Sequence, residues 1–435
     1  MTTSNKKKRG GKKRSKRERN EKRGDDGDDD STTATTPFTS QYATDYHAPV
    51  MARECISAML QQQKKTTKND DDTKMNCESR NGLILVDATL GGGGHSSALL
   101  EQMQPGDILI GCDVDPDALE TAKKRLKQYL MPEVQADGDI FINSNTITTP
   151  DHPIFIPVQS NFRHLHRVVP KLPHPYFPDV PLVDDSTART VDAILMDLGV
   201  SSFQIDSAAR GFAVKQDGPL DMRMHGASSS NNNNNNDHTT LTAADVCNEF
   251  SESDLVRSLR RYGDEPRAKA VARSIVERRP LRTTGELAAA VAAVTPEFAR
   301  KGKRLGRNST LARVFQALRI VVNEEDAALR EALEDMAGAL VTKEGGRLVV
   351  LSYHSMEDRM VKRVLRDGQV NKLARGRADE RDLYGNRVGA GKPWRPSVGK
   401  GRKASEEEVR VNSRARSATL RVGERLLQQK TEAET

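Results

Sequence analysis

The sequence predicts an α/β fold with a mostly parallel sheet, and three observations support this prediction. Five short runs rich in apolar residues are each followed by acidic, glycine or other polar residues, which is typical of buried parallel strands. Segments with apolar residues at helical spacing lie between these runs, as expected for strand–helix–strand units. The alternation is interrupted between residues 241 and 307, where only helical spacing is found. We therefore expect a sheet domain with an inserted all-helical domain.

Residues 83–95, LILVDATLGGGGH, form the stretch around which the other elements are organised. The apolar run predicts a buried strand that ends at Asp87, and the glycines at 91–94 predict a tight turn that a ligand can approach closely. A helix is expected from about His95, and its first N–H groups favour a carboxylate or phosphate. The alternative is a glycine-rich loop without a ligand, because short motifs also match by chance.

The positions of two acids narrow the choice of ligand. Asp87 ends the first predicted strand, and Asp113 ends the second. In a dinucleotide-binding fold the first glycine follows the strand almost directly, and the acid appears only after the second strand. S-adenosylmethionine carries a ribose diol, an ammonium, a carboxylate and a sulfonium. Two acids and a glycine turn suit these groups better than a pyrophosphate, which the first acid would repel.

Hydrophobic periodicity also predicts the remaining elements. A short helix is expected from about Met51. Further strands are expected at 108–112, 154–158, 193–196 and 347–351, and a last edge strand at 418–422. Further helices are expected at 117–129, 252–262, 267–278 and 311–323. Polar insertions at 131–152 and 171–190 and the asparagine run at 231–236 are expected to be surface loops.

Charge and cysteine usage limit the functional classes. The net charge is +7, but residues 1–30 alone sum to +5, so the high pI is partly an effect of the amino-terminal tail. The four cysteines are scattered without a CxxC pair, which favours a reducing compartment and neither a disulfide framework nor a metal site. No apolar run approaches the ~20 residues of a membrane span.

The same patterns predict the domain organisation. Residues 1–44 have little apolar content and are expected to form a disordered basic and acidic tail, which serves as an address, an RNA-contacting arm or only a solvated tail. The sheet domain is expected at 45–211 and 312–425, with a helical substrate-binding insert at 212–311 between the two parts. Residues 426–435 are expected to form a second tail.

Polar residues follow several strand ends, where ligands bind in open α/β sheets. Asp113 is placed to accept hydrogen bonds from ribose hydroxyls, and Phe162 to stack on adenine, unless it belongs to the core. Asp197 ends the strand beside the glycine turn, where a methyl donor and its acceptor would meet, although a helix-capping role is the alternative. The expected donor-binding residues are Asp87, Gly91, Gly93, Gly94, His95, Asp113, Phe162, Asp197 and Gln204.

Two loops are expected to contact the substrate at the same edge of the sheet. Residues 210–224 form a charged, turn-rich segment, in which Asp221 and Arg223 either hold a nucleotide or pair with each other. A second loop follows the fifth strand. It contains serine, histidine and acidic residues, but a hydrolase is disfavoured because no G-x-S-x-G elbow is present. The expected substrate-binding residues are Asp221, Arg223, Arg313, His354, Ser355 and Glu357.

Several long motifs together resemble one known family. They are HAPVMARE (47–54), DATLGGGGHS (87–96), DVDP (113–116), DLGVSSFQID (197–206), RGFAVKQDGPLDMRM (210–224), FQALRIVVNEE (315–325), GGRLVVLSYHSMEDRMVKR (345–363) and NSRARSATLR (412–421). The chain thereby resembles the RsmH/MraW family, ribosomal RNA small-subunit methyltransferases that modify a cytosine at N4. The resemblance implies a Rossmann-like class I S-adenosylmethionine-dependent methyltransferase with an inserted helical domain. The inclusion of His95 and Gln204 among the donor-binding residues rests mainly on this resemblance.

The chain also departs from the pattern of this family. The family usually carries His-Pro-Ala-Thr-Arg before the FQALRI helix, whereas this chain has Ser-Thr-Leu-Ala-Arg at 309–313. The polar insertions and the long tail are untypical of bacterial members and suggest a eukaryotic protein of an organelle, mitochondrion or chloroplast, with the cytoplasm as the alternative. The expected partner is small-subunit ribosomal RNA or the particle, with no membrane and no metal, and the chain is expected to be a monomer or a homodimer.

The expected reaction is transfer of a methyl group to the exocyclic amine of cytosine. Asp197, or a hydroxyl of Ser201 or Ser202, is expected to accept a hydrogen bond from that amine and thereby localise its lone pair. Three other classes remain: a nicotinamide-dependent oxidoreductase, a non-catalytic ribosome-assembly factor and a DNA N4-cytosine methyltransferase. The last is disfavoured because its Pro-Pro-aromatic motif is missing after the fourth strand.

Overall fold

A computed structural model describes residues 49–61, 82–130, 151–175, 177–183, 189–226, 241–297, 306–370, 393–397 and 399–426. All of them belong to one compact unit that begins at residue 37. The predicted tail at 1–44, the asparagine run, Cys77, most of the 131–152 insertion and all but the first residue of the predicted 426–435 tail lie outside the described residues.

Ten strands are found in the described part of the chain. They are β1 (Ile84–Asp87), β2 (Ile108–Asp113), β3 (Ile154–Gln159), β4 (Pro173–His174), β5 (Phe177–Pro181), β6 (Ala193–Asp197), β7 (Arg347–Ser352), β8 (Trp394–Pro396), β9 (Arg402–Lys403) and β10 (Thr419–Arg425).

Eight of these strands form one sheet in the order β3–β2–β1–β6–β7–β10–β8, with β9 also paired to β10. The pairs β1–β2, β2–β3, β1–β6 and β6–β7 are parallel, which confirms the predicted mostly parallel sheet. The strand order reverses beside β1, because β2 lies on one side of it and β6 on the other. In open α/β sheets such a reversal opens a crevice at the carboxyl ends of the strands, and ligands bind there.

The carboxyl-terminal part of the sheet differs from the prediction. The strand expected at 418–422 as a sheet edge is β10, and it lies inside the sheet, antiparallel to β7 on one side and to β8 and β9 on the other. The edge assignment was wrong because β8 and β9 are only three and two residues long and mostly polar, so no hydrophobic pattern marks them. The insertion at 171–190, expected to be a surface loop, contains the antiparallel pair β4–β5.

Fourteen α-helices are found in the described residues. They are α1 (Ala52–Met59), α2 (Gly94–Leu100), α3 (Pro116–Arg125), α4 (Leu165–Val168), α5 (Ser202–Asp206), α6 (Ala243–Glu249), α7 (Glu252–Arg261), α8 (Ala268–Glu277), α9 (Thr284–Ala292), α10 (Arg307–Val322), α11 (Glu325–Glu331), α12 (Ala337–Leu340), α13 (Ser355–Asp367) and α14 (Glu406–Val411).

Two helical layers cover the sheet, because successive strand side chains point to opposite faces. In β1, Leu85 packs with residues of α1, α2 and α3 on one face. Its neighbours Ile84 and Val86 pack with α12 and α13 on the other face. All four residues of β1 are buried, as the apolar run predicts.

The helices between residues 243 and 322 have a hydrophobic core of their own. Apolar residues of α6 to α10 pack together with Phe212, Leu220 and Met222 from the preceding loop. The predicted absence of strands in this stretch is confirmed for the described residues 241–297 and 306–322. The status of this segment as a separate insert with boundaries at 212 and 311 stays a prediction, since the described residues form one compact unit.

Two further features of the described residues concern membrane spans and cysteines. Among the described residues, no helix combines the length and apolar character required to cross a membrane. Cys55, Cys112 and Cys247 are buried and free of disulfides.

Candidate functional site

A cavity of about 490 Å³ lies at the carboxyl ends of the parallel strands. It is lined by residues that the sequence placed in the site: Gly91, Gly94, His95, Asp113, Phe162, Asp197, Ser201, Gln204, His354 and Glu357. These positions span more than 250 residues of sequence, and the parallel strand ends bring them together. The cavity is therefore the candidate active site.

The glycine turn is held against the end of β2. Gly91 has a φ of +52°, a conformation that favours glycine, and its backbone N–H donates to Asp113 Oδ2 at 2.8 Å. The other oxygen of Asp113 accepts from the backbone N–H of Asp115 at 2.9 Å. Each carboxylate oxygen keeps a further lone pair for a ligand hydroxyl. Burial raises the pKa of Asp113 to about 6, although these two N–H groups act in the opposite direction.

Asp197, at the end of β6, is the centre of a second hydrogen-bonded cluster. Tyr353 donates its hydroxyl to Asp197 Oδ1 at 2.7 Å, and His95 Nδ1 lies 3.6 Å from Asp197 Oδ2. The backbone N–H of Asp197 donates to the hydroxyl of Thr89 at 2.6 Å. Burial raises the pKa of Asp197, and His95 and Tyr353 lower it in part. The cluster therefore holds a carboxylate in a fixed orientation at the cavity wall.

The orientation of His95 follows from its second contact. His95 Nε2 lies 2.9 Å from the carbonyl oxygen of Val50. A carbonyl only accepts, so Nε2 must carry a proton. Nδ1 then faces Asp197 Oδ2, at 3.6 Å.

Gln204 holds the loop at 210–224 near the cavity through a buried network. Its Nε2 donates to Asp115 Oδ2 at 2.9 Å and to the carbonyl of Met224 at 3.4 Å. Arg210 pairs with the same carboxylate at 2.9 Å. Ser201 caps α5, and its hydroxyl accepts from the backbone N–H of Gln204 at 3.3 Å. Ser201 thus lines the cavity while it also starts a helix.

The cavity wall formed by α10 and the residue that follows it was not predicted from the sequence. Gln316, Arg319 and Asn323 all line the cavity. Asn323 accepts from the backbone N–H of Met224 and donates to the carbonyl of Met222, both at 2.8 Å. These residues lie within the FQALRIVVNEE motif, but the motif alone does not show that they face a cavity, because their position depends on contacts with a loop about 100 residues away.

Tyr353 was also missed, although a signal for it was available. It follows β7 directly, at the strand end where ligand-contacting residues are expected. Its hydroxyl contact with Asp197 is visible only in the structure.

Three potential metal ligands lie together at one side of the cavity. Atoms of Glu325, His354 and Glu357 lie within 4.8 Å of one another. The two carboxylates already have protein partners, because Arg319 donates to both oxygens of Glu325 at 2.6 and 2.8 Å. Glu357 Oε1 lies 2.8 Å from His354 Nε2. The absence of a metal stays a prediction.

Several predicted site residues do not line the cavity. They are Asp87, Gly93, Asp221, Arg223, Arg313 and Ser355. The side chain of Ser202 lies outside what the structure describes. The assignments of these residues stay predictions, and the structure shows a structural contact for each of the six.

Asp87 and Gly93 hold the glycine turn in place through contacts with the neighbouring helices α2 and α3. The Asp87 side chain is 1% exposed and accepts the hydroxyl of Ser96 at 2.6 Å. Gly93 has a φ of +75°, and a Cβ at this position would lie 3.4 Å from Ala122 of α3. Both residues therefore fix the conformation of the glycine turn and do not themselves line the cavity.

The other four form ion pairs or hydrogen bonds with protein groups. Asp221 and Arg223 pair with each other at 2.7 Å, which is the alternative that the sequence left open. The remaining two contacts are between Arg313 and Glu265, at 2.7 Å, and between the hydroxyl of Ser355 and Asp264, at 2.8 Å.

Comparison with known proteins shows the family of this chain. A family model described as the MraW methylase family matches residues 44–426. Ribosomal RNA small subunit methyltransferase H of Chlorobium luteolum is 36% identical over 395 residues, which cover 87% of this chain and 96% of that protein. The protein of the same name from Carboxydothermus hydrogenoformans is 38% identical over 353 residues, which cover 79% and 92%. The chain therefore belongs to the MraW methylase family.

Proposed function

We propose that the chain is an S-adenosylmethionine-dependent methyltransferase that methylates the N4 amine of a cytosine in small-subunit ribosomal RNA. Membership of a methylase family and the names of the relatives support the reaction class and the RNA. The single observation that carries the chemistry is the position of Asp197 at the cavity wall, beside the glycine turn, with both carboxylate oxygens oriented by His95 and Tyr353.

The residues of the cavity fit the proposed methyl donor. Its volume of about 490 Å³ lies within the range of small-molecule sites. Asp113 retains acceptor capacity for a ribose diol. Phe162, three residues after β3, lines the cavity and also packs against the hydrophobic core, so part of its ring is left for adenine. The glycine turn places backbone without side chains against the cavity, between Asp113 and Phe162 on one side and Asp197 on the other. The amino acid part of the donor would lie there.

In the proposed mechanism Asp197 positions and activates the amine. The donor, when bound, supplies a methyl group on a positively charged sulfur. Asp197 accepts a hydrogen bond from the N4 amine and so localises the nitrogen lone pair toward the methyl carbon. The N–C bond forms as the C–S bond breaks, and the proton that leaves N4 passes to Asp197 and then to water. Much of the acceleration comes from holding the nitrogen about 3–3.5 Å from the methyl carbon.

The target base must leave its stack to reach Asp197. The cavity is lined by the strand ends, α10 and the segment around Ser417, and Asp197 is part of this lining. Enzymes that modify a base generally extrude it or act on single-stranded substrate.

The direct test is incubation of the full chain with labelled S-adenosylmethionine and small-subunit RNA or particles. The expected product is N4-methylcytidine in the nucleoside digest. Label in another nucleoside would reject the proposed target atom. Binding of the RNA without any label transfer would favour a non-catalytic assembly factor.

The affinity for the methyl donor is expected to fall in acid. The pKa of Asp113 is about 6, and only its ionised form accepts two hydroxyl hydrogen bonds. Below this pKa the dissociation constant should rise by up to about tenfold for each pH unit, the limit for one linked proton. Calorimetric titration of the chain with the methyl donor between pH 5 and 8 measures this change in the dissociation constant. The Asp113→Asn variant should bind the donor weakly, with little pH dependence. The same pH dependence in Asp113→Asn would assign the titration to another group.

Replacing Tyr353 with Phe is expected to move the acid limb of the methyl transfer rate to higher pH. The lost hydroxyl helps to lower the pKa of Asp197, so this carboxyl should remain protonated at a higher pH in the variant. The pH profile of single-turnover methyl transfer tests this, with donor affinity as the control. A lower rate with an unshifted profile would restrict Tyr353 to a packing role.

A further inference from the structure

Positive charge is distributed unevenly among the segments around the cavity. The described residues of 393–426 contain nine Lys and Arg against four Asp and Glu, a net of +5. The described residues of 241–297 contain nine of each and are neutral. The helical segment, expected from the sequence to be part of a substrate-binding insert, therefore has no excess of positive charge in its described part.

Ion pairs increase this difference in positive charge between the two segments, because they neutralise arginines of the helical segment. On α7, Arg257 pairs with Asp254 at 2.8 Å and Arg261 with Asp326 at 3.2 Å. Four exposed cations of the carboxyl-terminal segment have no ion pair with another described residue. They are Lys400, Arg402, Arg410 and Arg416. Of the two segments, the carboxyl-terminal one therefore presents the larger excess of unpaired positive charge.

The same segment borders the mouth of the cavity. Arg414 and Ser417 line the cavity, and Arg416 lies between them in sequence. Lys403 donates its Nζ to the carbonyl of Ser417 at 3.3 Å, which places β9 beside the mouth. Arg402 pairs with Leu420 in the β9–β10 ladder and is exposed.

We propose that Lys400, Arg402, Arg410, Arg414 and Arg416, the basic strip, bind the phosphates of the RNA strand on either side of the target nucleotide. This inference rests on the proposed function. A nucleotide whose base enters the cavity leaves its flanking phosphates at the mouth. The guanidinium groups of the four arginines match phosphate geometry and charge, and the ammonium of Lys400 adds a point charge. Of the three glutamates at the start of α14, Glu408 turns inward and accepts from the backbone N–H of Met51, whereas Glu406 and Glu407 are exposed. The segment keeps its net charge of +5 with all three counted.

The test compares two matched double substitutions in the full chain. Arg402→Gln with Arg416→Gln neutralises the basic strip, and Arg257→Gln with Arg260→Gln neutralises two exposed arginines of α7. Binding of a single-stranded RNA fragment that contains the target sequence is measured by fluorescence anisotropy at several KCl concentrations. Methyl transfer is measured in parallel at varied RNA concentration, and donor affinity by calorimetry.

The strip variant is expected to reduce the slope of log affinity against log salt by roughly 1.4, which corresponds to two phosphate contacts on a single strand. Its KM for RNA should rise, while kcat at saturating RNA and the donor affinity stay unchanged. The α7 variant should keep the slope of the unsubstituted chain.

Two results would overturn the inference: an unchanged slope in the strip variant, or an equal loss in the α7 variant. If the proposed function is wrong, the unsubstituted chain itself forms no N4-methylcytidine. A failed inference shows as an unchanged slope in a chain that still methylates RNA.

Discussion

Replacing Asp197 with Asn lowers the rate of methyl transfer by roughly 10²–10⁴-fold, the usual contribution of a positioned proton acceptor. The substitution removes the charge but keeps the shape. The Asn oxygen still accepts from Tyr353, and its amide donates to His95 Nδ1, whose Nε2 is held by the Val50 carbonyl. Fold and donor affinity should therefore stay nearly unchanged. Single-turnover kinetics with saturating donor and RNA measure the effect.

The exposed carboxylate of Asp206 provides a control for this substitution. Asp206 ends α5 close to the cavity, and Asp206→Asn should leave the rate within about twofold, as expected for an exposed surface position. If Asp197→Asn transferred methyl groups at the original rate with the original donor affinity, Asp197 would not be the proton acceptor. A loss confined to donor affinity would instead make Asp197 a donor-binding residue.

Replacing Arg313 with Met is expected to reduce the free energy of unfolding by about 3–5 kcal/mol, the usual cost of breaking a buried ion pair on one side. Glu265 is 1% exposed, and Arg313 Nε donates to its Oε2 at 2.7 Å. The same carboxylate accepts from the backbone N–H of Arg267 at 2.8 Å. Removing Arg313 leaves this buried charge without its main partner. Urea denaturation of the full chain measures the loss.

Two further variants show whether the effect belongs to the pair. Arg261 pairs with Asp326 at an exposed position, and Arg261→Ala should cost less than about 1 kcal/mol. Glu265→Gln combined with Arg313→Met should recover part of the loss, because the uncompensated charge is removed. Unchanged stability in Arg313→Met together with weaker RNA binding would contradict the structural role and support the substrate contact expected from the sequence.

The central part of the sheet was predictable because its strands are buried on both faces. All six residues of β7 and all four of β1 are buried, so their sequences are nearly continuous apolar runs. β8 and β9 were not predicted, because short strands beside an antiparallel neighbour need no such run. The position of β10 inside the sheet depends on them and was therefore missed as well.

The site was predictable where it depends on strand ends. Asp113 and Asp197 follow apolar runs directly, Phe162 follows one after three polar residues, and the parallel sheet places all three around one cavity. Residues on helices and loops are harder to assign from sequence, because an arginine that binds phosphate and one that pairs with Glu265 have the same local pattern. The structure separates these cases by the distance between Arg313 and Glu265.

Titration of the full chain with S-adenosylmethionine tests most directly whether the cavity at the strand ends is a methyl-donor site. We expect one donor to bind per chain, with clearly weaker binding in Asp113→Asn and no displacement by a nicotinamide dinucleotide. Absence of donor binding, or donor binding that is unaffected by Asp113→Asn and displaced by the dinucleotide, would contradict the account.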